Sequence, residues 1–252
     1  MAIVSPDVRR SSVNTTDVLS VLDKGFKRLP KMFEGMHHHF YSELPFYMPL
    51  IKGIDRRLFR LVKPEEAAAK DPIPVKLDPI VGRKQTSDAD CVGASFMSAF
   101  STITGIPVTA ELYSQFLQVI AKGELGVPDE RGTGVAAHVM NFFLTPEFRK
   151  SFPYLDVTVA LKQNLTLEEL SEIINFTKTK PEYKLYAFLP FASWTIKGGY
   201  HMVTLREIDT AETTVYDPRI GEERVIPNPE FNQRWAEMHK SAVLIFSTQK
   251  NT

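Results

Sequence analysis

The chain has 252 residues, 43% of them hydrophobic and 11% aromatic, enough to bury a large core. Thirty basic residues balance thirty acidic ones, so no global charge invites nucleic acid or a membrane surface. A single cysteine leaves no internal disulfide to hold the fold, and no apolar run reaches the ~18 residues of a membrane span.

Residues 1–84 carry 15 Lys and Arg against 10 Asp and Glu, and the remainder carries the opposite excess. Such an offset reads as surface composition. The N-terminus, MAIVSPDVRRSSVNTTDVL, lacks a basic stretch followed by a long apolar one. No secretory signal is therefore expected, and a reducing cytoplasm is the expected compartment, with signal-less export as an effector the alternative. Sequons at Asn14, Asn164 and Asn175 carry little weight without such a signal.

In chain order, residues 16–29 read as a helix with Val18, Leu19, Val21, Leu22 and Phe26 on one side, stopped by Pro30. Residues 33–50 are rich in aromatics and proline, and 51–63 read as a short basic amphipathic helix. "KPEEAAAKDPIPVKLDP" reads as a connector or an edge strand. An N-terminal extension, partner-binding or regulatory, is placed at 1–78, and the main domain at 79–252. From Asp90, helical spacing of Val92, Phe96, Ala99, Phe100 and Ile103 predicts a helix closed by Gly105 and Pro107. Helices are predicted at 108–122 and 134–143, a strand at 154–161, and a helix at 166–179 with a capping box on Thr166 and Glu169. Strands follow at 184–190, 199–208, 213–218 and 242–248. Helices first and an antiparallel sheet later argue for an α+β fold.

The chemistry centres on Cys91. At a helix start, unpaired amides and the macrodipole favour a thiolate. Of six histidines, His201 is the one placed to serve as base, because it opens a strand directly after the "KGG" of 197–199. If 201–208 and 213–217 form a hairpin, Asp217 lies beside His201 and can orient its second nitrogen. The Cys91 amide and the Gln85 side chain supply two oxyanion donors.

"QTSDADCVGASFMSAFSTITG" resembles the start of the C39 peptidases, papain-like domains that cleave double-glycine leader peptides: Gln85, Asp90, Cys91, Met97 and Gly105 fall on the pattern. "GGYHMVTLREIDTAETTVYDPRIGEERV" resembles the family's second block through His201, Asp217, Pro218 and Gly221, and "RGTG" at 131–134 resembles its mid-domain segment. The resemblance covers about 80–248. It implies a papain-like cysteine proteinase fold in which an N-terminal helical part, with the catalytic cysteine at a helix start, packs on a C-terminal antiparallel sheet carrying His and Asp. It implies Cys91 as nucleophile, His201 as general base and acid, Asp217 as orienter and Gln85 in the oxyanion hole, with no cofactor. Val92 stands where the family usually has glycine, and Gly93 comes one later. Neither a phosphate-binding loop nor membrane segments of a transporter are present, which points to a stand-alone member with a peptide or protein substrate rather than to leader cleavage.

Trp194, Gly199 and Val92 are expected at the substrate cleft, although Trp194 serves equally well as a core plug. Asp90 is expected to cap the Cys91 helix. His37, His38 and His39 lack partners at ligand spacing, so no metal is expected. His138 reads as a packed core residue, and Lys52, Arg56, Arg57, Arg60 and Lys63 as a solvated helix face. The expected activity is cysteine-dependent hydrolysis of a peptide or isopeptide bond. The same residues would serve a glutamine deamidase or an acyltransferase or transglutaminase, and a papain-fold binding module is the non-catalytic alternative. Oligomeric state is not legible.

Overall fold

The computed structural model describes residues 15–32, 72, 74–87, 90–122, 139–197 and 199–249. The histidine run 37–39, the basic segment 51–63, "RGTG" and His138 lie outside the described residues. The described elements are α1 (Thr15–Met32), β1 (Val75–Lys76), α2 (Cys91–Thr104), α3 (Ala110–Lys122), a 3-10 turn (Asn141–Leu144), α4 (Pro146–Ser151), β2 (Leu155–Lys162), α5 (Leu167–Lys178), β3 (Tyr183–Ala192), β4 (Tyr200–Ile208), β5 (Glu212–Asp217), β6 (Glu222–Pro227), α6 (Asn228–Ala236) and β7 (Ala242–Gln249).

The strands form one sheet in the order β2-β7-β3-β4-β5-β6, with β1 added beside the far end of β4. Every pairing is antiparallel. The last strand therefore sits between β2 and β3, and α5 makes the crossover between those two. Both faces are covered, and the strands show it in their composition. In β3, Tyr186 and Phe188 enter one apolar cluster, while Leu185, Ala187, Leu189 and Phe191 enter the other. In β7, Val243 and Ile245 face the first cluster and Leu244 and Phe246 the second. Burial on both sides is why these strands read as continuous apolar runs instead of alternating ones.

The first cluster joins α1, α2 and α3 to the sheet. Phe26 of α1 lies 5.4 Å from Phe96, 5.1 Å from Phe142 and 5.6 Å from Phe116, centroid to centroid. Gly25 lets α1 come this close, since a Cβ there would stand 2.5 Å from the Phe142 ring. The second cluster lies under α5 and α6, through Leu170, Ile174, Phe231 and Trp235.

The α+β order expected from the sequence is the order observed: a helix that begins at Cys91 packs against an antiparallel sheet that bears His201 and Asp217. Gly105 ends α2 in the left-handed region, φ 74°, and its N–H donates to the Ser101 carbonyl. The Thr166–Glu169 capping box opens α5. Residues 75–76 of the connector form a strand on β4. The helix expected at 134–143 is described only from 139, where Val139 and Met140 give way to the 3-10 turn. The strand β6 and the helices α4 and α6 are additions.

Candidate active site

Three segments converge on Cys91. The first is 81–87. It is strapped to α2 by Val81 N–H donating to Thr102 Oγ1 at 3.0 Å and Arg83 N–H donating to Ser98 Oγ at 2.9 Å. It is strapped to the sheet by Gln85 N–H donating to the Pro218 carbonyl at 2.8 Å. Gly82 permits the approach, because a Cβ there would meet the Tyr216 ring at 2.4 Å. Gln85, buried, thus follows a segment strapped along the second half of α2, and its own amide is held by the residue that follows Asp217.

The second segment is the start of α2. Cys91 is its first residue, buried at 8% exposure and not in a disulfide. No side chain caps this end. The expected cap, Asp90, turns its carboxylate back onto the loop, where it accepts from the amides of Thr86 and Ser87 at 2.9 Å each. A carboxylate aimed at the preceding loop cannot also reach the amides of its own helix, so the helix start stays open. Burial pushes the Asp90 carboxyl up, but the Thr86 and Ser87 amides and the Thr86 and Tyr113 hydroxyls outweigh it and hold it below the usual range.

The third segment is the β4–β5–β6 ladder. A register shift between Leu205 and Glu207 interrupts β4, and beyond it Leu205 pairs with Val215 and Thr204 with Tyr216. The strand start and the strand end then meet: His201 Nε2 lies 2.6 Å from Asp217 Oδ1. An ionised carboxylate only accepts, so Nε2 carries the proton. That leaves Nδ1 as the nitrogen available to Cys91, which is among the groups that raise the imidazole. Both side chains are buried, at 4% and 1% exposure. Burial pulls the imidazole down, but the hydrogen bonds to Asp217 and Cys91 and the charges of both outweigh it, and His201 is pushed up to about 9. Burial pushes Asp217 up, yet His201, the Arg219 amide and Arg224 together hold it below the ordinary carboxylate range.

Trp194 is half-buried, not a core plug: its ring stands edge-on to His201 at 6.2 Å and leans on Phe191 at 5.1 Å. The Arg224 guanidinium lies over it at 4.3 Å. Gly199 closes the turn before His201, accepting from Ser193 N–H at 2.8 Å and donating to the Ile196 carbonyl at 2.9 Å. A Cβ there would meet Ile196 at 2.7 Å. Val92 is half-buried and packs on the first cluster. Among the described residues no group of acids, histidines and cysteine could hold a metal ion, and no helix is long and apolar enough to cross a membrane.

Two side chains at the site were not singled out in the sequence. Arg224 of β6 donates from Nε to Asp217 Oδ2 at 3.2 Å and places a second nitrogen 3.1 Å from the same oxygen. Its signal was available: Gly221 after "DPRI" makes a tight turn, and an antiparallel return sets Arg224 opposite Val215, diagonal to Asp217. Tyr113 of α3 had no local signal, because it reaches Asp90 across 23 residues.

No family model matches the chain, and no curated protein matches it. Solved structures similar to it include the following two. One is described as a C39-like peptidase from Bacillus anthracis, 16% identical with a TM-score of 0.43, matched over 71% of this chain and 99% of that one. The other is a double-glycine-motif protease from an AMS/PCAT transporter in complex with its leader peptide, 16% identical with a TM-score of 0.38, matched over 70% of this chain and 98% of that one. At that distance the likeness says nothing of chemistry, which rests on the residues themselves.

Proposed function

We propose that this protein is a cysteine-dependent hydrolase acting on peptide or isopeptide bonds. The observation that carries the reading is the position of His201, bound through Nε2 to buried Asp217 and raised in part by Cys91, which stands at an uncapped helix start. A structural histidine needs neither a thiol partner nor a desolvated carboxylate behind it.

In the forward step the Cys91 thiol passes its proton to His201 Nδ1, Sγ attacks the substrate carbonyl carbon, and the π electrons of the carbonyl move to oxygen. The Cys91 amide and the Gln85 Nε2 hydrogens are the donors for that oxyanion. As the tetrahedral species collapses, the C–N bond breaks and Nδ1–H of His201 protonates the departing amine. Water then attacks the thioester, Nδ1 takes its proton, and the carboxylic acid leaves as the thiol is restored. Asp217 fixes the ring and stabilises the imidazolium without taking the proton. Val92 follows the nucleophile, and Trp194 and Gly199 precede the base, so these three are read as walls of the cleft.

The test is exposure of a complex peptide pool to the wild type and to Cys91→Ala. New peptide N-termini that appear with the wild type alone support hydrolysis. Ammonia release with no new N-termini moves the reading to a deamidase, and no product of either kind removes it.

A further inference from the structure

We propose that Asp90 and Tyr113 are positioning residues for the oxyanion hole, locking the loop from which Gln85 reaches the reacting carbonyl. The inference rests on the hydrolase reading above. It starts from the direction of the Asp90 carboxylate. Oδ2 accepts from Thr86 N–H at 2.9 Å, Thr86 Oγ1 at 2.8 Å and Tyr113 OH at 2.9 Å. Oδ1 accepts from Ser87 N–H at 2.9 Å and Ser87 Oγ at 3.2 Å. Asp90 is thus filled by donors from the loop and from α3, and it is neither a cap nor a group free to exchange protons with Cys91 or substrate.

The loop so fixed determines which way Gln85 faces. Gln85 Nε2 donates one hydrogen to the Ser87 carbonyl at 2.6 Å. The nitrogen carries two hydrogens, so the second remains for an oxyanion. Gln85 Oε1 is buried and has no hydrogen-bond partner. Flipping the amide would set Oε1 against the Ser87 carbonyl, so the observed orientation depends on where that carbonyl lies. Ser87 is itself held by Asp90. Tyr113 then ties the assembly to the core: it is fully buried and its ring lies 4.7 Å from the Arg83 guanidinium. Burial and Asp90 push its phenol far above the usual range, so it remains a donor.

Two reagents separate this role from general structural support. Iodoacetamide alkylates Cys91 by displacement at carbon and generates no oxyanion. p-Nitrophenyl acetate acylates it: Sγ attacks the acetyl carbon, a tetrahedral oxyanion forms, and p-nitrophenolate leaves as the thioester is made. In the full chain, Gln85→Ala is expected to lower acylation by ~10²-fold. Asp90→Asn and Tyr113→Phe are each expected to lower acylation between a few-fold and roughly tenfold, with alkylation unchanged. If acylation and alkylation fall together, or if acylation is unchanged in both variants while Gln85→Ala is impaired, the positioning role is overturned and the hydrolase reading stands. If Gln85→Ala acylates at the wild-type rate, the oxyanion-hole part of the hydrolase reading itself fails. Should Asp90→Asn not fold, judged by its melting curve, Tyr113→Phe decides, since it removes one hydroxyl from a ring that keeps its packing.

Discussion

Asp217→Asn separates charge from orientation at His201. Asparagine keeps an oxygen where Oδ1 accepts from His201 Nε2, so the ring stays aligned, but the negative charge is gone. In the wild type, His201 is pushed up from 6.5 to about 9. A group whose folded pKa is raised adds stability that is complete below its unfolded pKa and is lost as the pH climbs through the folded one. The wild type is therefore expected to lose stability between about pH 6.5 and about 9, and the span corresponds to about 3 kcal/mol. Without the carboxylate the burial that pulls the imidazole down dominates, and this window flattens. Urea unfolding at several pH values reads the stability, and the NMR signals of the His201 ring read the same proton directly. A His201 midpoint near 9 that moves down in Asp217→Asn is the expected result. A wild-type midpoint already near 6.5, or the same midpoint in both proteins, refutes the electrostatic coupling.

Arg224→Gln removes a cation that competes with His201 for Asp217, so the His201 midpoint should move upward, opposite in sign to Asp217→Asn, and Trp fluorescence should change as the guanidinium leaves the Trp194 ring. Phe26→Ala should cost ~3–5 kcal/mol by urea unfolding, because it empties the centre of a ring cluster formed with Phe96, Phe116 and Phe142. A loss under 1 kcal/mol would mean that α1 is not part of the folding unit that holds Cys91. Thr166→Ala should cost about 1 kcal/mol through the capping box of α5 and leave Cys91 reactivity unchanged.

The parts of the site legible in the sequence were those encoded locally. Cys91 precedes an apolar helical stretch, and the Gly105–Pro107 stop marks where that stretch ends. His201 and Asp217 bracket a hairpin whose turn residues are visible, and their pairing followed from antiparallel geometry despite the irregular register at Leu205. Asp90 was misjudged because an aspartate before a helix usually caps it, and the competing acceptor role came from Thr86, Ser87 and the distant Tyr113. β6 was missed because "EERVIP" is polar on one side and ends in proline, which suits an edge strand and weakens the alternation. α6 opens with proline and few apolar residues, and its burial depends on Phe231 and Trp235 alone among its large apolar side chains. Nothing within six residues of Tyr113 reports that its hydroxyl ends at Asp90. Side chains that serve a site from another element leave a trace in the sequence only when a known pairing, as for Arg224 across the β5–β6 turn, brings them near.

The central claim is that Cys91 and His201 act as one reactive pair, and the most direct test is the rate of Cys91 alkylation by iodoacetamide from about pH 4 to about pH 9, in the wild type and in His201→Ala. The account predicts rapid alkylation at mildly acidic pH in the wild type and its loss in His201→Ala, because the thiolate there depends on the imidazolium. A slow thiol with the same pH profile in both proteins would contradict the pair and leave the fold as a binding scaffold.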